Sequence, residues 1–265
     1  MPEVKQKRSA YILPSLLTTG GMFCGFYAII AALTGRYEEG AIAIIAAGIF
    51  DGLDGRVARA LNAVSAFGKE YDSLADFLSF GMAPALLIYQ WALTPFHRLG
   101  WAGAFLFTVC GALRLARFNV AHYVGDERIS KRYFQGLPIP AAAFILSATV
   151  LFYLNFNIES GGDMQSKWDV WRWLPLILVY VLAIFMVSEV RFRSMKDFYW
   201  HRSRPFLTLV GVAVLITVLT IHMATTLFII GWAYLFSALH SHREYRHLLA
   251  EGKEVEGDEL DDFTA

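Results

Sequence analysis

Cysteine is nearly absent from this chain, with Cys24 and Cys110 the two in 265 residues. Both lie in apolar stretches, with no C-x-x-C and no partner at metal-ligand spacing, so they read as small core residues rather than a disulfide or a catalytic thiol. Excess charge of either sign is also missing: 23 Lys and Arg balance 23 Asp and Glu. Nothing in that balance points to nucleic acid as a partner. The seven histidines (His97, His122, His201, His222, His240, His242 and His247) are scattered without zinc-binding spacing. Internal repeats and low-complexity segments with a functional reading are lacking too.

What the chain does have is apolar length. Hydrophobic residues make up 56% of it and the mean hydropathy is +0.45, which fits one polytopic membrane domain rather than a soluble one. Segments able to cross a bilayer are expected at about 12–33, 40–61, 72–93, 101–120, 138–156, 173–189, 205–221 and 224–240. The expected fold class is therefore all-α, a bundle of about eight transmembrane helices, because a spanning segment must satisfy its own backbone hydrogen bonds. The first run follows Lys5, Lys7 and Arg8 like a signal peptide, but it is long and has no clear cleavage site, so it reads as a retained helix.

The distribution of cations sets an orientation. Lys and Arg collect in the N-terminal tail, around Arg56, Arg59 and Lys69, from Arg114 to Arg132, from Arg191 to Arg204, and from Arg243 to Arg246. These are alternate connections, which predicts both termini on the cytoplasmic side of the inner membrane. Trp168, Trp171 and Trp173 suit an interfacial belt. The acidic end from Glu251 to Asp262 reads as solvated, and residues 241–265 are expected to form a disordered cytoplasmic tail after a membrane domain of residues 1–240.

Against this apolar background one polar stretch stands out, DGLDGRVARALNAVSAFGKEYDSLAD from Asp51 to Asp76. Asp51 and Asp54 are three apart and Asp72 and Asp76 four apart, so each pair shares one face of a helix. A carboxylate at membrane depth costs roughly 2.5–3.5 kcal/mol on insertion scales. Four of them need compensating charge, and a divalent cation such as Mg²⁺ or Mn²⁺ is the simplest source, since both prefer hard oxygen ligands. Pairing with Arg56, Arg59 and Lys69 at a membrane surface is the structural alternative. Gly55, Ala58 and Gly68 leave room for close approach, and Arg59 offers a planar fork to a phosphate.

The order Asp51, Asp54-Gly55, Ala58-Arg59, Gly68, Asp72, Asp76 resembles the complete motif of the CDP-alcohol phosphotransferases, D-x-x-D-G-x-x-A-R-x8-G-x-x-x-D-x-x-x-D. That resemblance implies two divalent ions held by Asp51, Asp54, Asp72 and Asp76, with Asp76 as metal ligand or general base. It also implies that Asp54, Gly55, Ala58, Arg59 and Gly68 line the CDP part of a lipid donor, and that the chain is a homodimer. The implied chemistry is attack of an alcohol on the lipid-side phosphorus, with release of CMP.

Three further blocks, DSLADFLSFGMAPA, GALRLARFNV and FQGLPIPAAA, resemble the serine-using bacterial branch of that family, as does VRFRSMKD from Val190. This implies CDP-diacylglycerol as donor and L-serine as acceptor. Arg114 and Arg117 are candidates for the serine carboxylate, with positive-inside anchoring as their alternative role. Glycerol 3-phosphate, inositol phosphate or choline are alternative acceptors, and a cation transporter is the distant alternative. The first helix carries Ser15 and Gly21 where the family pattern has asparagine, so the resemblance leaves polar contacts from that helix open while the metal site stands.

Overall fold

The computed structural model describes residues 12–63, 65–124, 133–159, 173–188, 190–193, 210, 211, 213, 217 and 222–250. Two helices, α1 (Ile12–Leu33) and α2 (Tyr37–Ala60), form the first hairpin. A third, α3 (Ala66–Asp76), runs into a π-helical segment (Phe77–Met82), then α4 (Ala83–Ile88), a second π-helical segment (Tyr89–Leu93) and a short 3-10 turn (Thr94–Phe96). α5 (His97–Val124), α6 (Ile139–Glu159), α7 (Trp173–Val187) and α8 (Met223–Ala250) complete the helices.

Seven of the eight expected segments coincide with these helices, and the eighth, 205–221, falls almost wholly outside the described residues. Among the described residues three stretches are by length and composition apolar enough to cross a membrane: Ile12–Leu33, Ala66–Val120 and Ile139–Phe156. The second of these is a hairpin rather than one rod. His97 has φ +45°, outside the helical region, and α5 packs back on α4 and both π-helical segments. The last helix continues to Ala250, so the backbone of 241–250 is helical where the sequence suggested the start of a tail.

Small residues set how closely the first two helices pack. Ala28, Ala31 and Ala32 of α1 and Ala41, Ala43 and Ala47 of α2 are all buried, the composition expected where helix backbones approach without large side chains between them. Larger side chains such as Leu87, Phe107, Leu146 and Leu182 fill the core around α4 to α7. Outward-facing Phe23, Ile49, Phe105, Ile177, Ile184 and Ile229 are each more than half exposed. So much unpartnered apolar surface fits a hydrocarbon surround.

One departure from an all-helical reading is a short antiparallel ribbon, β1 (Tyr133–Gln135) with β2 (Arg191–Arg193), in register Tyr133↔Arg193 and Gln135↔Arg191. It joins the chain entering α6 to the chain leaving α7. Gly136 closes the turn after β1 with φ +77°, and its N–H donates to Val190 O at 2.9 Å. A Cβ there would fall 2.5 Å from Met186 O, so glycine satisfies both the conformation and the space.

Candidate active site

The α2–α3 connection places the acidic pairs level with each other. α2 ends at Ala60 and α3 begins at Ala66, so Asp54 stands six residues before the turn and Asp72 six after it. At 1.5 Å per residue both lie about 9 Å from the helix ends. The turn is built locally: Asn62 adopts φ +50° and Ala63 N–H returns to Ala58 O at 2.8 Å, while Ser65 caps α3 by accepting from Gly68 N–H at 3.0 Å.

α2 and α3 both pack on α1, which forms the back of the site. The chain just after Asp76 is held there tightly. Ser79, in the first π-helical segment, donates its hydroxyl to Gly21 O at 3.2 Å, and a Cβ at Gly25 would fall 2.4 Å from Ser79 Oγ. A π-turn widens the helix locally and is common beside functional residues. Here it immediately follows Asp76.

Asp51, Asp72 and Asp76 each place one carboxylate oxygen within 4.8 Å of the others, and Asp51 and Asp76 are within hydrogen-bonding reach. Asp54 is more enclosed, 5% exposed. It accepts a 2.8 Å hydrogen bond from Thr18 Oγ1 of α1. All four line one small cavity with Thr18 and Ser79. Among the described residues no Lys or Arg forms an ion pair with any of the four. Three converging oxygens without a cation of their own match the donor set of a divalent ion, and Asp54, outside that trio, lines the same small cavity.

Beside the acidic cluster opens a cleft of about 420 Å³. Asp54, Gly55, Ala58 and Arg59 form one side of it, and Ser65, Gly68, Lys69, Asp72, Ser73 and Asp76 another. Pro14, Ser15 and Thr18 from α1, Leu115, Phe118 and Asn119 from α5, and Ala63, Glu70 and Tyr71 complete the lining. Arg59 folds back along α2, since a Cβ at Gly55 would stand 3.5 Å from its Nη1. Tyr71 of α3 meets Thr19 of α1 at 2.9 Å, oxygen to oxygen, and stacks on Phe67.

Seven of the motif positions thus line one cleft, and Asp51 adjoins it through the shared cavity. The two arginine candidates part company. Arg117 is exposed, and neither it nor Arg114 lines the cleft. Arg114 is half-buried, its Nε has no hydrogen-bond partner, and its charge is felt by Tyr234 of α8 and by Asp76.

Residues missed by the sequence reading are Thr18, Ser73 and Asn119, while Lys69, weighed there as a counter-charge, lines the cleft without an ion pair to the aspartates among the described residues. The polar contact from the first helix, left open by the sequence, is supplied by Thr18, one turn past Ser15. Asn119 lies within the GALRLARFNV block that carried the resemblance, which was the one signal available for it.

A helical bundle with a carboxylate-lined, nucleotide-sized cleft defines a class. The sequence matches the CDP-alcohol phosphatidyltransferase family over residues 11–185, and the chain belongs to that family. It is 34% identical over 231 residues to the CDP-diacylglycerol–serine O-phosphatidyltransferase of Helicobacter pylori strain 26695, covering 85% of this chain and 92% of that one. The Bacillus subtilis protein of the same name is 37% identical over 187 residues, 69% of this chain and 91% of the relative. The archaetidylserine synthase of Methanothermobacter thermautotrophicus is 40% identical over 153 residues, 57% of this chain and 61% of the relative.

Proposed function

We propose that the chain is a membrane transferase that moves the phosphatidyl group of CDP-diacylglycerol to L-serine, yielding phosphatidylserine and CMP. The observation that carries this reading is the tetra-aspartate cluster opening on a cleft lined by seven positions of the motif. The relatives support the acceptor: two are named for serine on a CDP-diacylglycerol donor, and the third for serine on a different lipid. The constant part of those names is the amino acid.

Each residue then has a role. Gly55, Ala58 and Gly68 leave space for the cytidine diphosphate, and Arg59 directs its fork at a phosphate. Asp51, Asp54, Asp72 and Asp76 hold two divalent ions, Mg²⁺ or Mn²⁺. When bound, these neutralise charge on the diphosphate and polarise the phosphorus under attack. Thr18 orients Asp54 through its hydrogen bond. Asp76 accepts the proton of the serine hydroxyl as its oxygen bonds to phosphorus and the bond to the CMP oxygen breaks. Arg114 is the better placed of the two arginines for the carboxylate end of serine, because it is the one near Asp76.

The cluster faces the cytoplasm in this reading, with both termini on that side and eight helices crossing the inner membrane. The catalytic unit is the membrane domain, the chain end a cytoplasmic tail, and the resemblance supports a homodimer.

The test is direct. Purified protein in lipid–detergent micelles receives CDP-diacylglycerol, Mn²⁺ or Mg²⁺, and L-serine, glycerol 3-phosphate, inositol phosphate or choline in turn. CMP release and the lipid product are measured. Phosphatidylserine formed with serine is the expected result. A lipid product with glycerol 3-phosphate alone would overturn the assignment.

A further inference from the structure

We propose that Ser73 and Asn119 select the acceptor by receiving the N–H-bearing ammonium group of a small amino alcohol beside Asp76, an assignment that rests on the transferase reading above. Asn119 of α5 and Ser73 of α3 meet across the cleft they both line, with Asn119 Nδ2 3.0 Å from Ser73 Oγ.

The direction of that bond follows from counting protons. A serine hydroxyl has one to give. Ser73 Oγ is 3.0 Å from Lys69 O and 3.4 Å from Asn119 Oδ1, so the proton goes to the nearer carbonyl. Ser73 Oγ then accepts from the Asn119 amide. Oδ1 of Asn119 keeps its acceptor capacity, fixed in place by the amide bond on its other side.

Position gives this acceptor its use. Lys69, Asp72, Ser73 and Asp76 share one stripe of α3, so Ser73 sits beside both carboxylates of that helix. The α5 wall facing it contributes Leu115, Phe118 and Asn119, none of them cationic. In serine the hydroxyl and the ammonium are on neighbouring carbons, so a hydroxyl delivered to Asp76 brings the ammonium with it. An acceptor carbonyl next to carboxylates suits a cation that has N–H to donate. A phosphate on the acceptor has no N–H to give Oδ1, and the cations that line the cleft, Arg59 and Lys69, lie on α2 and α3 rather than on that wall. A trimethylammonium group would leave Oδ1 without its hydrogen bond, the loss that a polar site uses to reject a look-alike.

The experiment compares wild type, Asn119→Ala, Ser73→Ala and Ser73→Thr as full-length protein with CDP-diacylglycerol and Mn²⁺. KM for L-serine is expected to rise about tenfold or more in Asn119→Ala and by less in Ser73→Ala, with KM for CDP-diacylglycerol within twofold. Ser73→Thr, which keeps the hydroxyl, recovers the wild-type value. Calorimetric binding of CDP with Mn²⁺ reports whether each variant is folded, and if Asn119→Ala is not, the Ser73 pair decides. An unchanged serine KM, or equal rises for both substrates, overturns the proposal. A wild-type protein that makes no phosphatidylserine overturns the transferase reading instead, so the two failures are distinct.

Discussion

The two ends of the α1–α2 hairpin treat charge in opposite ways. At the turn, Arg36 pairs with Glu39 at 3.1 Å, donates to Tyr27 Oη at 3.3 Å and to Thr34 Oγ1 at 3.2 Å, and lies 5.6 Å from the Tyr27 ring centroid. Tyr27 in turn donates to Glu39. Arg36 and Glu39 there have partners from the chain itself, and Glu38 beside them is exposed to solvent. Some four turns along α2 from Glu39 lie Asp51 and Asp54, which with Asp72 and Asp76 have no cation partner among the described residues. Charges that serve the fold bring their counter-charge with them, whereas these four carboxylates leave that place to something that binds.

The sharpest way to break this contrast is at Asp76. Asp76→Asn is expected to lower turnover by about 10²–10⁴-fold, the usual contribution of a positioned acid or base, in a protein that still folds. CMP release under single-turnover conditions measures it, and a near wild-type rate would reject Asp76 as the base.

Metal removal is next in size. Without a cation the four carboxylates repel one another, so chelation should abolish activity reversibly and lower the thermal midpoint. A ligand at about 100 times its Kd contributes about 2.7 kcal/mol. Asp51→Asn then separates the two ends: it should raise the midpoint of chelated protein by relieving repulsion, and lower that of the metal-loaded protein by removing a ligand. Matched melts with EDTA and with Mn²⁺ read this, and a fall in both would mean Asp51 is structural.

Thr18→Val removes the hydrogen bond that Thr18 gives Asp54. Partners of metal ligands are typically worth about 10–100-fold in affinity or activity, so the metal concentration for half-maximal activity should rise about tenfold. An unaltered titration would show that α1 only supports the site sterically. The smallest effect is expected at the other end. Glu39→Gln breaks an exposed ion pair, worth about 1 kcal/mol or less, with turnover as in wild type.

The legibility of the chain follows the same division. Asp51, Asp54, Asp72 and Asp76 were readable because a carboxylate in an apolar chain is costly wherever it lies, and because helical spacing assigns a face without knowledge of the fold. Helix existence was readable for the same reason, apolar length. Arg114 and Arg117 could not be separated, since three residues of spacing on one helix say nothing about which neighbour each meets. Thr18 was unreadable because its partner is on another helix, 36 positions away. Ribbon β1–β2 was hidden as well: three-residue strands carry no periodicity, and their pairing joins segments far apart in the chain.

Sequence alone determined the chemistry that this protein can hold: which carboxylates exist, that each pair shares a helix face, and that an apolar surround makes them costly without a cation. Tertiary structure decided what meets across the gap. It put α1 behind the cluster so that Thr18 reaches Asp54, set Asn119 against Ser73, and left both Arg114 and Arg117 out of the cleft lining. Those contacts depend on how helices distant in the chain pack, and helix packing is fixed by the fit of whole surfaces, which no local pattern of residues encodes.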